Sequence, residues 1–293
     1  MSFKDWVLLM VLSLLWGGSF FFVEVALEGL PVLSIVWGRV ALGAMILALV
    51  LRATGAGLPR GWAVWRALAV MGFLNNAVPF TLFVLAQGQI SGALASILNA
   101  TTPLFTMAVA HLATRDERIS GGKAVGLALG FAGVVVMLAG AAAGGETAAK
   151  AACLVAAISY GCAAVWGRRF RRLGVAPLQT AFGQVTASSL MLAPLWLLVD
   201  RPWAMEVPGL RVVGAVVGIA ALSTALAYVI YFRLLASAGA VNLALVTFLI
   251  PVSAVGLGVV LLGERLEGAH LAGFGLVALG LVAVDGRLWR RWG

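Results

Sequence analysis

The sequence predicts an all-α integral membrane protein. Ten transmembrane helices are expected, arranged as two inverted-topology five-helix repeats around a central cavity. Three observations lead there: an extreme apolar composition, a succession of apolar stretches of bilayer length, and an ordered likeness between the two halves. Of 293 residues, 62% are hydrophobic and 11% charged, and the mean hydropathy is +1.07. A soluble domain carries about 25% charged residues and turns much of its surface to water. This composition excludes a soluble enzyme and a disordered chain. The apolar character runs to the end of the sequence, which excludes a single anchor on a soluble domain.

A helix needs about 20 mostly apolar residues to cross a bilayer. Stretches that meet this need run over 6–27, 32–52, 62–85, 89–112, 121–140, 148–168, 176–198, 209–232, 239–262 and 268–286. The second and seventh follow Pro31 and Pro177, as a first-turn proline predicts. The first lacks a small-residue cleavage site and is read as mature structure, not as a signal peptide. With ten crossings both termini share one side. That side collects fifteen of the twenty Lys and Arg residues, among them Arg115, Arg118, Arg287, Arg290 and Arg291. The other side holds Lys150, Arg201, Arg211 and Arg265, and Arg39 falls inside the second stretch. Positive charge concentrates in the cytoplasm, so both termini are expected there, in a bacterial-type inner membrane. The net charge of +9 is then a cytoplasmic fringe and implies no nucleic-acid partner. Trp6, Trp62, Trp65, Trp203, Trp289 and Trp292 fall at predicted ends of stretches, where indole rings favour the headgroup zone. Cys153 and Cys162, nine apart on one helix, face opposite ways and are not expected to bridge.

The two halves, 1–145 and 146–293, share an ordered set of residues. Trp16-Gly17 aligns with Tyr160-Gly161, Phe80 with Tyr228, and Pro103 with Pro251. Glu117-Arg118 aligns with Glu264-Arg265, Gly126 with Gly273, and Gly133 with Gly280. Five crossings per half is an odd number, so the second half enters from the opposite side, a common plan among secondary transporters. Glu264-Arg265 after Pro251, the run Ser223-Thr224-Ala225-Leu226-Ala227-Tyr228, Trp16-Gly17-Gly18-Ser19 and Arg39 resemble the EamA-type permeases of the drug/metabolite transporter superfamily. Within it the chain looks most like the YddG-type amino-acid exporters. The resemblance covers essentially the whole chain. It implies ten helices, an inverted repeat, a central cavity and movement of small metabolites without ATP.

Polar groups inside a membrane are costly, and each invites a functional reading. Glu24 and Arg39 lie a short way in from the outer surface on neighbouring stretches. They are read as a paired outer gate or substrate anchor, with a purely structural ion pair as the alternative. Asn75, Asn76, Asn99 and Thr102 lie mid-stretch beside prolines. Pro79, Pro103 and Pro251 free backbone carbonyls four residues back and are candidate bending points. The aromatic residues Trp16, Phe80, Phe83, Tyr160, Trp166 and Tyr228 complete the expected substrate site, although single rings also serve to pack helices or face lipid. Aromatic walls with few charges suit amphipathic or aromatic metabolites. Phosphorylated sugars would need a basic cluster, which is absent. Gly126, Gly130 and Gly133 form a small-residue stripe, so the fifth and tenth stretches are expected to pack together rather than line a cavity. The Glu-Arg pairs are read either as latches or as ordinary helix-end charges, and the run 139–145 as an outer loop. Enzyme signatures such as HExxH or a phosphate-binding GxxxxGK loop are absent, and no cofactor is expected. The expected function is export of amino acids, aromatic ones included, by alternating access. The alternatives are a lipophilic-cation exporter that uses Glu24 and a structural membrane subunit. The expected partners are a small-molecule substrate and the lipid bilayer, with a monomer compatible with the sequence.

Overall fold

A computed structural model describes residues 2–113, 121–138, 145–243 and 245–285. Arg115, Glu117, Arg118, the stretch 139–144, Arg287, Trp289, Arg290, Arg291 and Trp292 lie outside the described residues, and so do the sequence readings placed on them. The described residues are helical, with no strands among them. Seven helices are long and apolar enough to cross a membrane, and three shorter apolar helices accompany them.

Helix α1 (Phe3–Leu27) starts from a capping box in which the Ser2 Oγ accepts from the Asp5 amide and Asp5 accepts from the Ser2 amide. That pairing satisfies amides that the first helical turn leaves open. Helix α2 (Val32–Ala53) has Pro31 as its N-cap, one place earlier than a first-turn proline. Helix α3 (Trp62–Gln87) is continuous, but Phe73–Ala77, just before Pro79, is wound as a π turn. Helix α4 (Gly92–Ala113) is interrupted at Ala100 and Thr101. Pro103 therefore sits in the first turn of the second piece, Thr102–Ala113, where its missing N–H costs no hydrogen bond. The Asn99 carbonyl that this proline would orphan accepts from Thr102 Oγ1 at 2.7 Å.

The remaining helices are α5 (Gly121–Leu138), α6 (Gly145–Arg172), α7 (Pro177–Leu195), α8 (Leu210–Gly239), α9 (Val246–Leu262) and α10 (Gly268–Asp285). Pro177 occupies the first turn of α7, as expected. In α8 a π turn spans Ala221–Leu226, and Gly239, with φ 77°, ends the regular helix. In α9 Pro251 lies within the helix and a π turn closes it over Gly258–Leu262. Cys153 and Cys162 are unbridged.

The packing repeats itself when the two halves are exchanged. Helix α1 packs on α9, and α6 packs on α4; α3 packs on α7, and α8 on α2; α5 and α10 pack on each other. The contacts agree in detail. A Cβ on Gly17 would stand 2.7 Å from Ser253 Cβ, and one on Gly161 would stand 3.0 Å from the Thr106 amide. Gly38 abuts Val216, and Gly183 abuts Leu68. The π turns of α3 and α8 occupy matching places in the two halves, with Asn75 and Asn76 in one and Ser223 and Thr224 in the other.

Candidate functional site

A cavity of about 710 Å³ lies among α1, α2, α3, α4, α6, α7, α8 and α9. No described residue of α5 or α10 lines it. The α5–α10 pair is joined instead by backbone contact, as its glycines predict. At one end the cavity reaches the α6–α7 junction at Gly167, Phe170, Arg171, Val175 and Pro177. At the other it stops at Phe20, Val23, Val84 and Gln87.

Two strings of rings form much of the wall. Trp16 meets Tyr231 at 5.6 Å between centroids, Tyr231 meets Phe232 at 5.1 Å, and Phe232 meets Tyr228 at 6.2 Å. The second string runs from Phe20 to Phe83 at 5.7 Å and on to Tyr160 at 6.2 Å. Amide groups sit between them. Asn75 Nδ2 donates to Gln184 Oε1 at 2.9 Å and to the Tyr228 hydroxyl at 3.3 Å. The π turns carry this polarity, because the extra residue in a π turn re-aims the side chains around it, a device common at functional sites.

Of the residues singled out in the sequence, Trp16, Asn75, Phe80, Phe83, Asn99, Thr102, Tyr160, Tyr228 and Arg39 all line this cavity. Asn76 and Trp166 do not. Asn76 is fully buried behind the wall, where its Nδ2 donates to Ser188 Oγ at 3.1 Å and its Oδ1 accepts from Tyr228 at 3.3 Å. Trp166 donates from Nε1 to the Ala67 carbonyl at 3.0 Å and lies under the Arg169 guanidinium. Its partners make it a packing residue between α3 and α6. Pro79 follows the α3 π turn, Pro251 lies inside α9, and neither lines the cavity.

The expected Glu24–Arg39 pair is not formed. Arg39 donates from Nε to Thr224 Oγ1 at 3.1 Å and lies 3.6 Å from the centroid of Phe80. Glu24 accepts from Gln87 Nε2 at 3.1 Å. Arg39 stands beside Phe80, whereas Glu24 stands beside Gln87, seven residues and about 10 Å further along α3, so the two are separated along the helix axes. Glu24 belongs to a second, polar pocket of about 370 Å³, lined also by Glu146, Arg265, Glu267 and His270. Gln87 lines both spaces and donates to the Phe20 carbonyl at 2.9 Å. Glu264 accepts from the Ala93 amide at 2.9 Å and so caps the start of α4. Its latch-like position therefore rests on a helix-end hydrogen bond.

Sequence reasoning missed Gln87, Gln184 and Ser223 as wall residues. The two glutamines carried a usable signal, since an amide within or at the end of an apolar stretch is as costly as an asparagine. The charge balance of the wall is one-sided: among the described residues, Arg39 and Arg171 line the cavity and no carboxylate does.

A helical membrane bundle with a polar and aromatic cavity at its centre is the architecture of a membrane transporter. The EamA-like transporter family matches this chain twice, over residues 5–139 and 148–284, and the chain belongs to that family. A protein called uncharacterized inner membrane transporter YedA, from Escherichia coli strain K12, is 26% identical over 253 residues, covering 85% of this chain and 80% of its own. The YedA proteins of the O6:H1 and O157:H7 strains match equally. A solved crystal structure aligns over 96% of both chains with a TM-score of 0.68 and 20% identity, which shows a shared fold.

Proposed function

We propose that this protein is a secondary transporter that exports amino acids, aromatic ones included, across the inner membrane by alternating access. The observation that carries this reading is the cavity, large enough for one small metabolite and walled by rings, amides and two cations, Arg39 and Arg171. Packing that survives exchange of the halves, together with two family matches in tandem, supports ten crossings as two inverted five-helix repeats, 1–145 and 146–293. The lysine and arginine bias supports cytoplasmic termini. On that orientation the cavity faces the cytoplasm through the α6–α7 junction. Gln87, held by Glu24 and Phe20, closes the outer end together with the Phe20–Phe83 contact. Rocking of the repeats at the α3 π turn beside Pro79, the α4 break beside Pro103, and Pro251 would exchange these closures. The chain then acts as a carrier and not as an enzyme, with no cofactor. The inner membrane is the compartment named for the YedA relatives.

A lipophilic-cation exporter needs a carboxylate in the cavity. Glu24 lies outside it, so that reading is not favoured. A structural subunit has no need of the cavity. The test is counterflow of radiolabelled amino acids in proteoliposomes. Accumulation of at least one aromatic amino acid over protein-free vesicles is expected. Folded protein that carries no amino acid would overturn the reading.

A further inference from the structure

We propose that Arg39 is the docking point for a substrate carboxylate, and that the carrier therefore selects carboxylate-bearing ligands with an apolar or aromatic body over amines and organic cations of the same body. This rests on the reading of the central cavity as the substrate site.

Arg39 is 9% exposed, yet no carboxylate among the described residues neutralises it. The Tyr160 and Tyr228 side chains share the cavity wall with it. Its Nε is held by Thr224, and its central carbon lies over the Phe80 ring, so the guanidinium is positioned while the end nitrogens are left without a protein acceptor among the described residues. An unpaired buried cation is strongly disfavoured unless something completes it. A guanidinium presents a planar fork that matches a carboxylate with two parallel hydrogen bonds. Beside Thr224 on the chain, Ser223 is a residue of the cavity wall; it is 1% exposed, and its hydroxyl has no partner among the described residues. That hydroxyl is a further donor for an anion.

The two halves make the point sharper. Gly38 against Val216 matches Gly183 against Leu68, so the next residues, Arg39 and Gln184, occupy equivalent places. Arg39 bonds to Thr224 on the π turn of α8, and Gln184 bonds to Asn75 on the π turn of α3. A neutral amide meets the packing needs of one place, so packing alone does not call for a cation at the other. The charge breaks the symmetry between these two places and sets a cation in the wall apart from Arg171, which lies at the α6–α7 end. Asn75 donates through its Nδ2, and its Oδ1, with no donor among the described residues, is left for an ammonium group.

The test is binding to purified protein in detergent, using L-tryptophan, indole-3-propionate, tryptamine and indole, on wild type, Arg39→Gln and Arg39→Lys. Wild type is expected to bind tryptophan and indole-3-propionate at least about tenfold more tightly than tryptamine. Arg39→Gln should remove that preference, with its thermal unfolding reporting an intact fold, and Arg39→Lys should restore part of it. Tryptamine binding as tightly as tryptophan, failure of both carboxylates to bind, or full carboxylate affinity in Arg39→Gln would each overturn the proposal. Arg39-dependent binding of indole-3-propionate with no amino-acid counterflow would sustain it and sink the amino-acid reading instead.

Discussion

The Nε of Arg39 on α2 donates to Oγ1 of Thr224 at 3.1 Å, inside the π turn of α8. Thr224 Oγ1 in turn donates a hydrogen bond to the Ile219 carbonyl at 3.0 Å. One hydroxyl thus holds Arg39 in the cavity wall and satisfies a carbonyl of the helix upstream.

Thr224→Val should loosen Arg39 without removing its charge. The expected result is a rise of roughly three- to tenfold in KM for carboxylate substrates, as for loss of one hydrogen bond to a charged group. Thr224→Ser should keep wild-type values. Initial rates of uptake over a range of substrate concentrations distinguish the two.

Gly133 and Gly280 are equivalent seats in the α5–α10 contact. A Cβ on Gly133 would lie 2.5 Å from the Gly273 carbonyl, and one on Gly280 would lie 2.6 Å from the Gly126 carbonyl. Backbone cannot yield as a flexible side chain can, so alanine at either place should cost about 1–3 kcal/mol. Thermal unfolding should show similar losses for both variants. Ligand affinity should stay unchanged in whatever folds, because no described residue of either helix lines the cavity.

Glu24→Gln should leave carboxylate affinity within about twofold of wild type, since Glu24 lies outside the central cavity. Transport is the readout for its link to Gln87. If that contact closes the outer end, the variant alters the rate of exchange and not the affinity.

Trp166→Phe should lower stability by about 1 kcal/mol through loss of the bond to the Ala67 carbonyl. Binding should not change. An affinity loss in a variant of unaltered stability would place Trp166 in the substrate path after all.

Much of the fold and of the cavity wall is legible in the order of the amino acids. The apolar stretches lead directly to the helices, and the costly polar residues within them lead to most of the wall. Direction is what they leave open. Asn75 and Asn76 are adjacent, and both read as substrate groups. The π turn of α3 sends Asn75 into the cavity and Asn76 to Ser188 on α7. Trp166 and Tyr160, six residues apart on α6, part in the same way. Glu24 and Arg39 read as neighbours at one depth, but Arg39 meets α3 at Phe80 and Glu24 meets it at Gln87, two turns further on, because helix tilt and stagger are set by packing.

The amino-acid sequence by itself determined the membrane class, the helical stretches and the short inventory of polar groups within them. Those follow from the cost of moving each residue into hydrocarbon, a sum over local composition. The tertiary structure alone decided which members of that inventory share a space: Arg39 with Thr224, Asn75 with Gln184, and Glu24 apart with Gln87. Helix rotation, π-turn register and glycine-to-backbone approach set those pairings. They depend on contacts between residues far apart in the chain, which no local periodicity records.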